Sequence, residues 1–492
     1  MKKFIFFINL IVLLLAISII PLDLFLINIP KWVSLISILV IVGLIIFIWY
    51  KSDKLVFKIV LSVIDFLFLL TIFIGTYCNP YWNSVNFKSN TDYQCKDYKT
   101  VLTLKEAKQD LDYAMNYLNS VHPAFIKESP DNIDSLYSQA IKNLENNDNI
   151  TINDVCKEIE QIFSSLGDGH TAIHTNYPEY HYLKYKDKCE EQGYTLVSIN
   201  GESLEEIFKK KSNLFSYETE SYGLSIMKTY LSTEECLNYL GYDLKQGITY
   251  TYKTEDGSLI QCTYYPKDFV SYEEYQKYNN FLEENNEDDY SFVKYEIDEQ
   301  SNLAILTLNS CQYDDEYKKC LNDMFSEIQK KGIDNVCVDL RNNGGGNSLV
   351  ADEFIHYLDV NSYKSWGQDL RLGPLLVKSK GETINNKRYE DLIFKGNVYV
   401  LTNIYTFSSA MDFAMLISDN NLGKIVGEAS GNKPGGYGDV AIFKLPNSGL
   451  IMQVSTKKWY RIDLENPDEL IEPDIHCDSE HALSNLKEII NK

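Results

Sequence analysis

No Cys-x-x-Cys pair occurs among the ten cysteines of this chain, and no cysteine–histidine group stands at zinc-ligand spacing. A structural zinc site is therefore not expected. Positive charge is scarce: 46 Lys and Arg face 69 Asp and Glu, a net charge of −23. Residues 1–77 alone carry +3 and the remainder −26. So acidic a soluble portion speaks against nucleic-acid binding. The G-x-x-x-x-G-K-[ST] phosphate loop is missing, and no G-x-G-x-x-G with a downstream acid follows a strand, so no nucleotide is expected. Solenoid-period repeats and low-complexity tracts are absent too.

Long apolar runs are present. Residues 4–20, 33–50 and 55–77 each approach spanning length, and a cleaved signal peptide has only one such run, so they read as three transmembrane helices. The third carries Lys58 near its start and Asp65 near its middle. An intramembrane acid is costly and often functional. The plainer reading is tolerance by a long apolar segment or by a packed hairpin partner. Lys2 and Lys3 precede the first run, and Lys51 and Lys54 separate the second from the third. The positive-inside rule then places these ends in the cytoplasm and everything after about residue 78 outside. Cys78 follows Thr76 and Tyr77 rather than small residues, so a lipidated cysteine is not expected. Cys337, in a buried strand, reads as a small core hydrophobe. An extracytoplasmic location permits disulfides, with connectivity open.

Residues 79–102 are polar, lack periodicity and read as a linker. From 103 to 175 the pattern is helical, opened by a Thr103–Glu106 capping box and closed by the turn GDGHT (167–171). Residues 176–285 are β-rich, with a strand–Asn-Gly turn–helix at 194–208 and a hairpin around Asp256-Gly257. The acidic stretch 281–290 reads as a solvated loop. From 286 to 492, strands and helices alternate. The apolar runs 303–309, 335–340, 397–402, 423–428 and 450–460 form one sheet in this reading, an α/β layer with a largely parallel core.

Chemistry-bearing residues cluster in that half. Ser408 and Ser409 follow the strand NVYVLT and open a helix, where N–H groups are unsatisfied and the dipole favours negative charge. A helix cap is the ordinary role of such a serine. In VDLRNNGGGNS (338–348), glycines 344 to 346 end a buried strand and can form an anion-binding nest; a tight turn is the plainer alternative. Both features lie at carboxyl ends of strands, where α/β proteins place their sites. His170 sits in a glycine turn rather than on an apolar face. Lys433 lies in the glycine-rich loop GEASGNKPGGYGD, 25 residues after Ser408. Glu465 and Glu472, in LENPDELIEPDI, are candidates to orient a histidine.

Taken in order, D-L-R-N-N-G-G-G, T-x-S-S-A-x-D-F, V-G-E…G-x-K-P…Y-G and E-P-D-I resemble the tail-specific, or C-terminal processing, serine proteases. The likeness spans residues 103–480. It implies a crotonase/Clp-protease-like layered catalytic domain, an N-terminal helical subdomain and a small, diverged PDZ-like β region, here with three transmembrane helices added. It maps the nucleophile onto Ser408, marked by Thr406 and Phe413. Backbone N–H groups of Ser409 and of Gly345 or Gly346 would then form the oxyanion hole. One branch of the family uses a lysine base, which maps onto Lys433. The branch similar to the tricorn core uses histidine and glutamate, which map onto His170 and Glu465, although Gly169 stands where that branch has serine. His170 is preferred because a histidine titrates near neutral pH, whereas Lys433 would need strong desolvation.

The resulting expectation is a multi-pass membrane serine endopeptidase. It would have an extracytoplasmic catalytic domain, a protein or peptide substrate and the lipid bilayer as its partners, and no cofactor, metal or nucleotide. A catalytically inactive peptide-binding or sensor relative on the same fold is the main rival. A crotonase-like acyl-thioester enzyme is a lesser one.

Overall fold

The computed structural model describes residues 2–184, 189, 192–278 and 291–491; the acidic stretch 281–290 lies outside them. Three helices are long and apolar enough to cross a membrane: Lys3–Phe25, Lys31–Lys51 and Leu55–Cys78. The first is interrupted at Ser18, three positions after which Pro21 removes a backbone donor. Asp65 is buried, and its Oδ1 accepts a 2.8 Å hydrogen bond from Asn9 Nδ2 of the first helix. That supplies the packed partner a mid-helix acid requires.

The stretch 79–102, read from sequence as a linker, is instead packed structure. Trp82, Val85, Cys95 and Tyr98 are buried. Trp82 Nε1 donates to the Ile29 carbonyl (3.0 Å) between the first two spans. Fully buried Asp23 accepts N–H groups from Ile29 and Asn83, both at 2.8 Å. On the other side, Val85 N–H donates to the Ile442 carbonyl (2.7 Å). A few apolar side chains in a polar stretch suffice to seat it between the helices and the soluble domain.

Helices Leu104–Val121, Ile133–Glu145 and Ile152–Ser164 follow, the first opened by the expected Thr103–Glu106 capping box. A four-stranded antiparallel sheet comes next, Glu202–Ser203, Thr195–Ile199, Ile248–Lys253, Leu259–Tyr264 in spatial order. Asn200 (φ 50°) and Gly201 (φ 82°) make its first turn in left-handed backbone that these residues tolerate.

The C-terminal half is built on a six-stranded sheet ordered Ile475–His476, Lys424–Gly427, Asn397–Thr402, Asn335–Asp339, Leu303–Leu308, Val293–Asp298. Only the last pair is antiparallel. Strands such as Val336–Cys337–Val338, buried on both faces, read as continuous apolar runs for that reason. The expected placement of 450–460 in this sheet is incorrect. Ile451–Tyr460 pairs antiparallel with Tyr437–Lys444 through a short turn, in a separate five-stranded sheet. A connection of so few residues cannot make a parallel crossover. This second sheet matters for the site. Its strand Ala172–His174 pairs with Ile451–Gln453, bringing the GDGH turn from the helical region onto the C-terminal half.

Candidate active site

The parallel sheet delivers two turns to the same place. Strand Asn335–Asp339 runs into the glycine turn, and strand Asn397–Thr402 into the serine turn. Polar side chains lock them together. Asn403 Nδ2 donates to Asn342 Oδ1 (2.9 Å), Thr406 Oγ1 donates to the Leu340 carbonyl (2.9 Å), and Phe407 N–H donates to the Asn343 carbonyl (2.9 Å). Ser408 then sits against Gly345. A Cβ on Gly345 would lie 2.7 Å from Ser408 Cβ and 2.9 Å from Ser409 N.

Ser408 stands at the N-cap position of its helix without acting as a side-chain cap. Its side chain makes no capping bond to the helix Ser409–Asp419, and its backbone stands at φ 54°, ψ −126°. That conformation is disfavoured for a residue with a Cβ, costing on the order of 1–3 kcal/mol. It is held by Asn432, buried in the glycine-rich loop, whose Oδ1 accepts the Ser408 N–H at 2.8 Å. Ser409 is the first helical residue, so its N–H has no intrahelical acceptor. Its hydroxyl donates to the Gly346 carbonyl (2.8 Å). Gly345 N–H is already bound to Asn343 Oδ1 (2.8 Å). The bridge between Gly346 and Cys311 uses the Gly345 carbonyl and the Asn347 N–H, leaving the Gly346 N–H outside it.

His170 lies beside this turn, its ring 4.8 Å from that of Phe407. The side chain is 14 % exposed, and both ring nitrogens are buried without a hydrogen-bond partner. The ring therefore makes no bond to Ser408 here. Nδ1 stands 3.7 Å from Glu218 Oε1 and 3.8 Å from Asp168 Oδ1. Asp168 is fully buried and anchored: Oδ1 accepts the His170 N–H (2.8 Å) and Oδ2 the Ser455 hydroxyl (2.7 Å). Oδ2 also meets His122 Nε2 at 3.1 Å. The Ala124 N–H donates to His122 Nδ1, which places the neutral ring's proton on Nε2 facing Asp168. Glu218 ties two loops together, accepting N–H groups from Lys433 (3.0 Å) and Gly169 (3.4 Å).

The electrostatics follow from these neighbours. Burial pulls the His170 pKa down, but Glu218, Asp168 and Asp412 outweigh it and the pKa is raised. Burial pushes Asp168 up, yet the hydrogen bond from His122 and the charge of His170 hold it well below the usual carboxylate range. Asp412, one turn along the Ser408 helix, is pushed up to about 7 by burial and by Glu218, against the opposing pull of His170.

Of the residues singled out from sequence, Ser408, Ser409, Gly345, Gly346 and His170 come together. Lys433 reaches the site through its backbone, its N–H on Glu218; among the described residues its ammonium forms no ion pair. Glu465 and Glu472 do not reach it. Glu465 is exposed in the loop after Arg461, and Glu472 is exposed and stands 3.8 Å from His476. The polar, glycine-poor segment that carries them runs over the surface, whereas the carboxylates facing His170 come from the GDGH turn and from Glu218. Asp168 and Asp412 stood inside the motifs quoted above without a role. Glu218, in a loop with no periodicity, carried no signal.

The parallel sheet thus sets a serine turn and a glycine turn side by side at its carboxyl edge, where α/β proteins place their sites. Solved structures of the same fold include mature CPAF complexed with lactacystin (12 % identity, TM-score 0.56, covering 79 % of this chain and 98 % of that one). A second structure, of mature CPAF, is similar (13 % identity, TM-score 0.55, 79 % and 96 %). No curated protein matches the chain. Residues 302–477 match peptidase family S41. The glycine turn and Ser408 both lie within the segment that matches peptidase family S41. His170, Asp168 and Glu218 lie outside the matched segment.

Proposed function

We propose that the protein is a membrane-anchored endopeptidase acting on extracytoplasmic proteins or peptides, with Ser408 as nucleophile and His170 as general base. The observation that carries this reading is the backbone of Ser408: a strained, uncapped serine held by Asn432 against a glycine turn. Strain of this kind persists where surrounding structure over-determines it, as at a nucleophile set on a strand-to-helix turn. In this reading Ser408 Oγ attacks the peptide carbonyl carbon and its proton passes to His170 Nε2. The tetrahedral oxyanion is met by the Ser409 and Gly346 N–H groups. The imidazolium returns the proton to the departing amine, and water releases the acyl group by the same route.

Glu218, with Asp168 behind it, replaces Glu465 as the carboxylate that stabilises the imidazolium, since both face Nδ1 and leave Nε2 for the serine. The Ser408–His170 bond has to form as substrate fills the site; catalytic hydrogen bonds are often long without it. His170 is favoured over Lys433, whose contribution is a backbone bond to Glu218. The loop between the first two spans and the segment after the third meet at Trp82 and Asp23, so they share one face of the membrane. With lysines at the opposite ends, that face is the outer one.

Ser408→Ala in the full-length chain is expected to abolish casein cleavage and fluorophosphonate labelling while the thermal unfolding midpoint stays near wild type. Retained cleavage would rule out Ser408. Absent labelling of the wild-type protein, correctly folded, would favour the inactive binding relative.

A further inference from the structure

We propose that the space between Asp168, His170 and Glu218 is also a binding site for a divalent cation of the zinc type, which reversibly withdraws His170 from catalysis. This rests on the reading of His170 as the base.

Three donors arrive from three separate parts of the chain. Asp168 and His170 come from the GDGH turn, Glu218 from the segment before the helix Glu220–Thr229, and one ligand atom from each lies within 4.8 Å of the others. The nitrogen-to-oxygen separations are 3.7 and 3.8 Å. Zinc at its usual ligand distances sets tetrahedral neighbours about 3.3–3.5 Å apart, so the two nitrogen-to-oxygen pairs close by a few tenths of an ångström and the oxygen pair, within 4.8 Å, by up to roughly 1 Å or slightly more. The set is already supported from behind. Asp168 Oδ2 is engaged by His122 and Ser455, and Glu218 Oε2 by the Lys433 N–H. Oδ1 and Oε1 are left facing the ring, carrying only the His170 and Gly169 N–H groups. Fixed outer partners of this kind orient metal ligands.

Two further observations point to a cation. Both ring nitrogens of His170 are buried without a hydrogen bond at normal distance, the nearest carboxylate oxygens standing 3.7 and 3.8 Å from Nδ1, a costly condition for a polar group. Acidic groups also outnumber basic ones here. Asp168, Glu218 and Asp412 lie around His170, with His122 behind Asp168, and among the described residues none of the three is paired with Lys or Arg. Buried carboxylates demand compensation, which here comes from protons or from a metal ion. One imidazole nitrogen with two carboxylate oxygens suits zinc; magnesium and calcium prefer all-oxygen shells. Binding takes the Nδ1 lone pair: the Nδ1 proton of the imidazolium leaves to solvent, or that of the neutral ring moves to Nε2, and the Nε2–H that remains cannot accept the serine's proton.

The test uses the full-length chain in detergent, carrying Ser408→Ala, titrated with Zn²⁺ against a chromophoric chelator. One zinc per chain is expected, and an X-ray absorption spectrum should show nitrogen and oxygen ligands with an imidazole signature. Glu218→Gln should weaken binding by at least about tenfold, and Glu465→Gln should leave it unchanged. In the active chain, Zn²⁺ should slow fluorophosphonate labelling, a chelator should restore it, and the effect should fade as pH falls and protons reclaim the ring. A sulfur-containing ligand shell would overturn the proposal, because ten cysteines offer that alternative. So would the lack of stoichiometric binding, or equal affinity in folded Glu218→Gln. Zinc bound in the expected shell by a chain whose Ser408 is never labelled would sink the catalytic reading and leave the metal site. Labelled Ser408 without zinc binding would do the reverse.

Discussion

Alanine substitution at each of the three consecutive glycines separates catalytic geometry from mere turn formation. At Gly344 an added Cβ meets nothing within 4 Å. At Gly345, where φ is 102°, it meets Ser408 Cβ at 2.7 Å, the Phe407 carbonyl at 2.8 Å and Ser409 N at 2.9 Å. Carbon atoms pack at about 3.5–4.0 Å, so Gly345→Ala must push the serine turn by roughly 1 Å. A displacement of about 1 Å at a reacting group costs on the order of 10²-fold, and losing one oxyanion donor about 10²–10³-fold. The expected result is a fall in turnover of roughly 10²–10³-fold. Overpacking and the left-handed backbone, each about 1–3 kcal/mol, add a stability loss of about 2–6 kcal/mol. Gly346→Ala meets the Cys311 carbonyl at 2.4 Å, a backbone clash that should damage stability at least as much. Casein cleavage and thermal unfolding, measured on all three variants, read out both effects. The reasoning is refuted if Gly345→Ala turns over like wild type, or if Gly344→Ala loses as much as its neighbour.

Asp412→Asn removes a negative charge that raises the His170 pKa. The acid limb of kcat/KM should therefore move to lower pH, and an unmoved limb would exclude coupling between the two groups. Glu160 is buried, accepts the Ile173 N–H at 2.9 Å, and has its pKa pushed up to about 8 by burial. Its raised folded-state pKa gives stability that is present at acid pH and lost as pH climbs to about 8, a few kcal/mol in all. Glu160→Gln should then raise the unfolding midpoint at pH 8.5 far more than at pH 5, and equal shifts at the two pH values would contradict it.

What was legible in the sequence was local. The runs Val336–Val338 and Val398–Leu401 announce buried strands, and the glycines and Ser408 announce turns at their ends, because each signal lies within about ten residues. The His170 turn was visible as a motif. What places it is the pairing of Ile173 with Met452, nearly 280 positions away, which no local pattern records. Glu218 is invisible for the same reason: it sits in a loop with no periodicity and acts by bridging Lys433 and Gly169. Glu465 was chosen by resemblance, and a surface loop of charged residues did not carry it inward. The strand Ile451–Tyr460 was assigned to the wrong sheet because an apolar run does not name its partner; the short turn before it does.

The mistaken linker has the widest consequence. A flexible tether would leave the soluble domain indifferent to its anchor. Here the last turn of the third span touches the catalytic half directly. A Cβ on Gly373 would come within 2.0 Å of the Tyr77 carbonyl, so only glycine admits this approach. From that contact a continuous set of polar links leads inward. Arg371 Nε donates to the Gly373 carbonyl (3.0 Å), and Nη1 of the same buried guanidinium donates to the His122 carbonyl (2.5 Å). His122 then engages Asp168, and Asp168 holds the His170 N–H. A guanidinium this desolvated, with its pKa lowered to about 10, is costly unless both carbonyls stay in place. The end of the membrane helix and the turn bearing His170 are therefore positioned by one buried cation. The apolar N-terminal region belongs to the scaffold that sets His170, and its removal is not a neutral trimming of the chain.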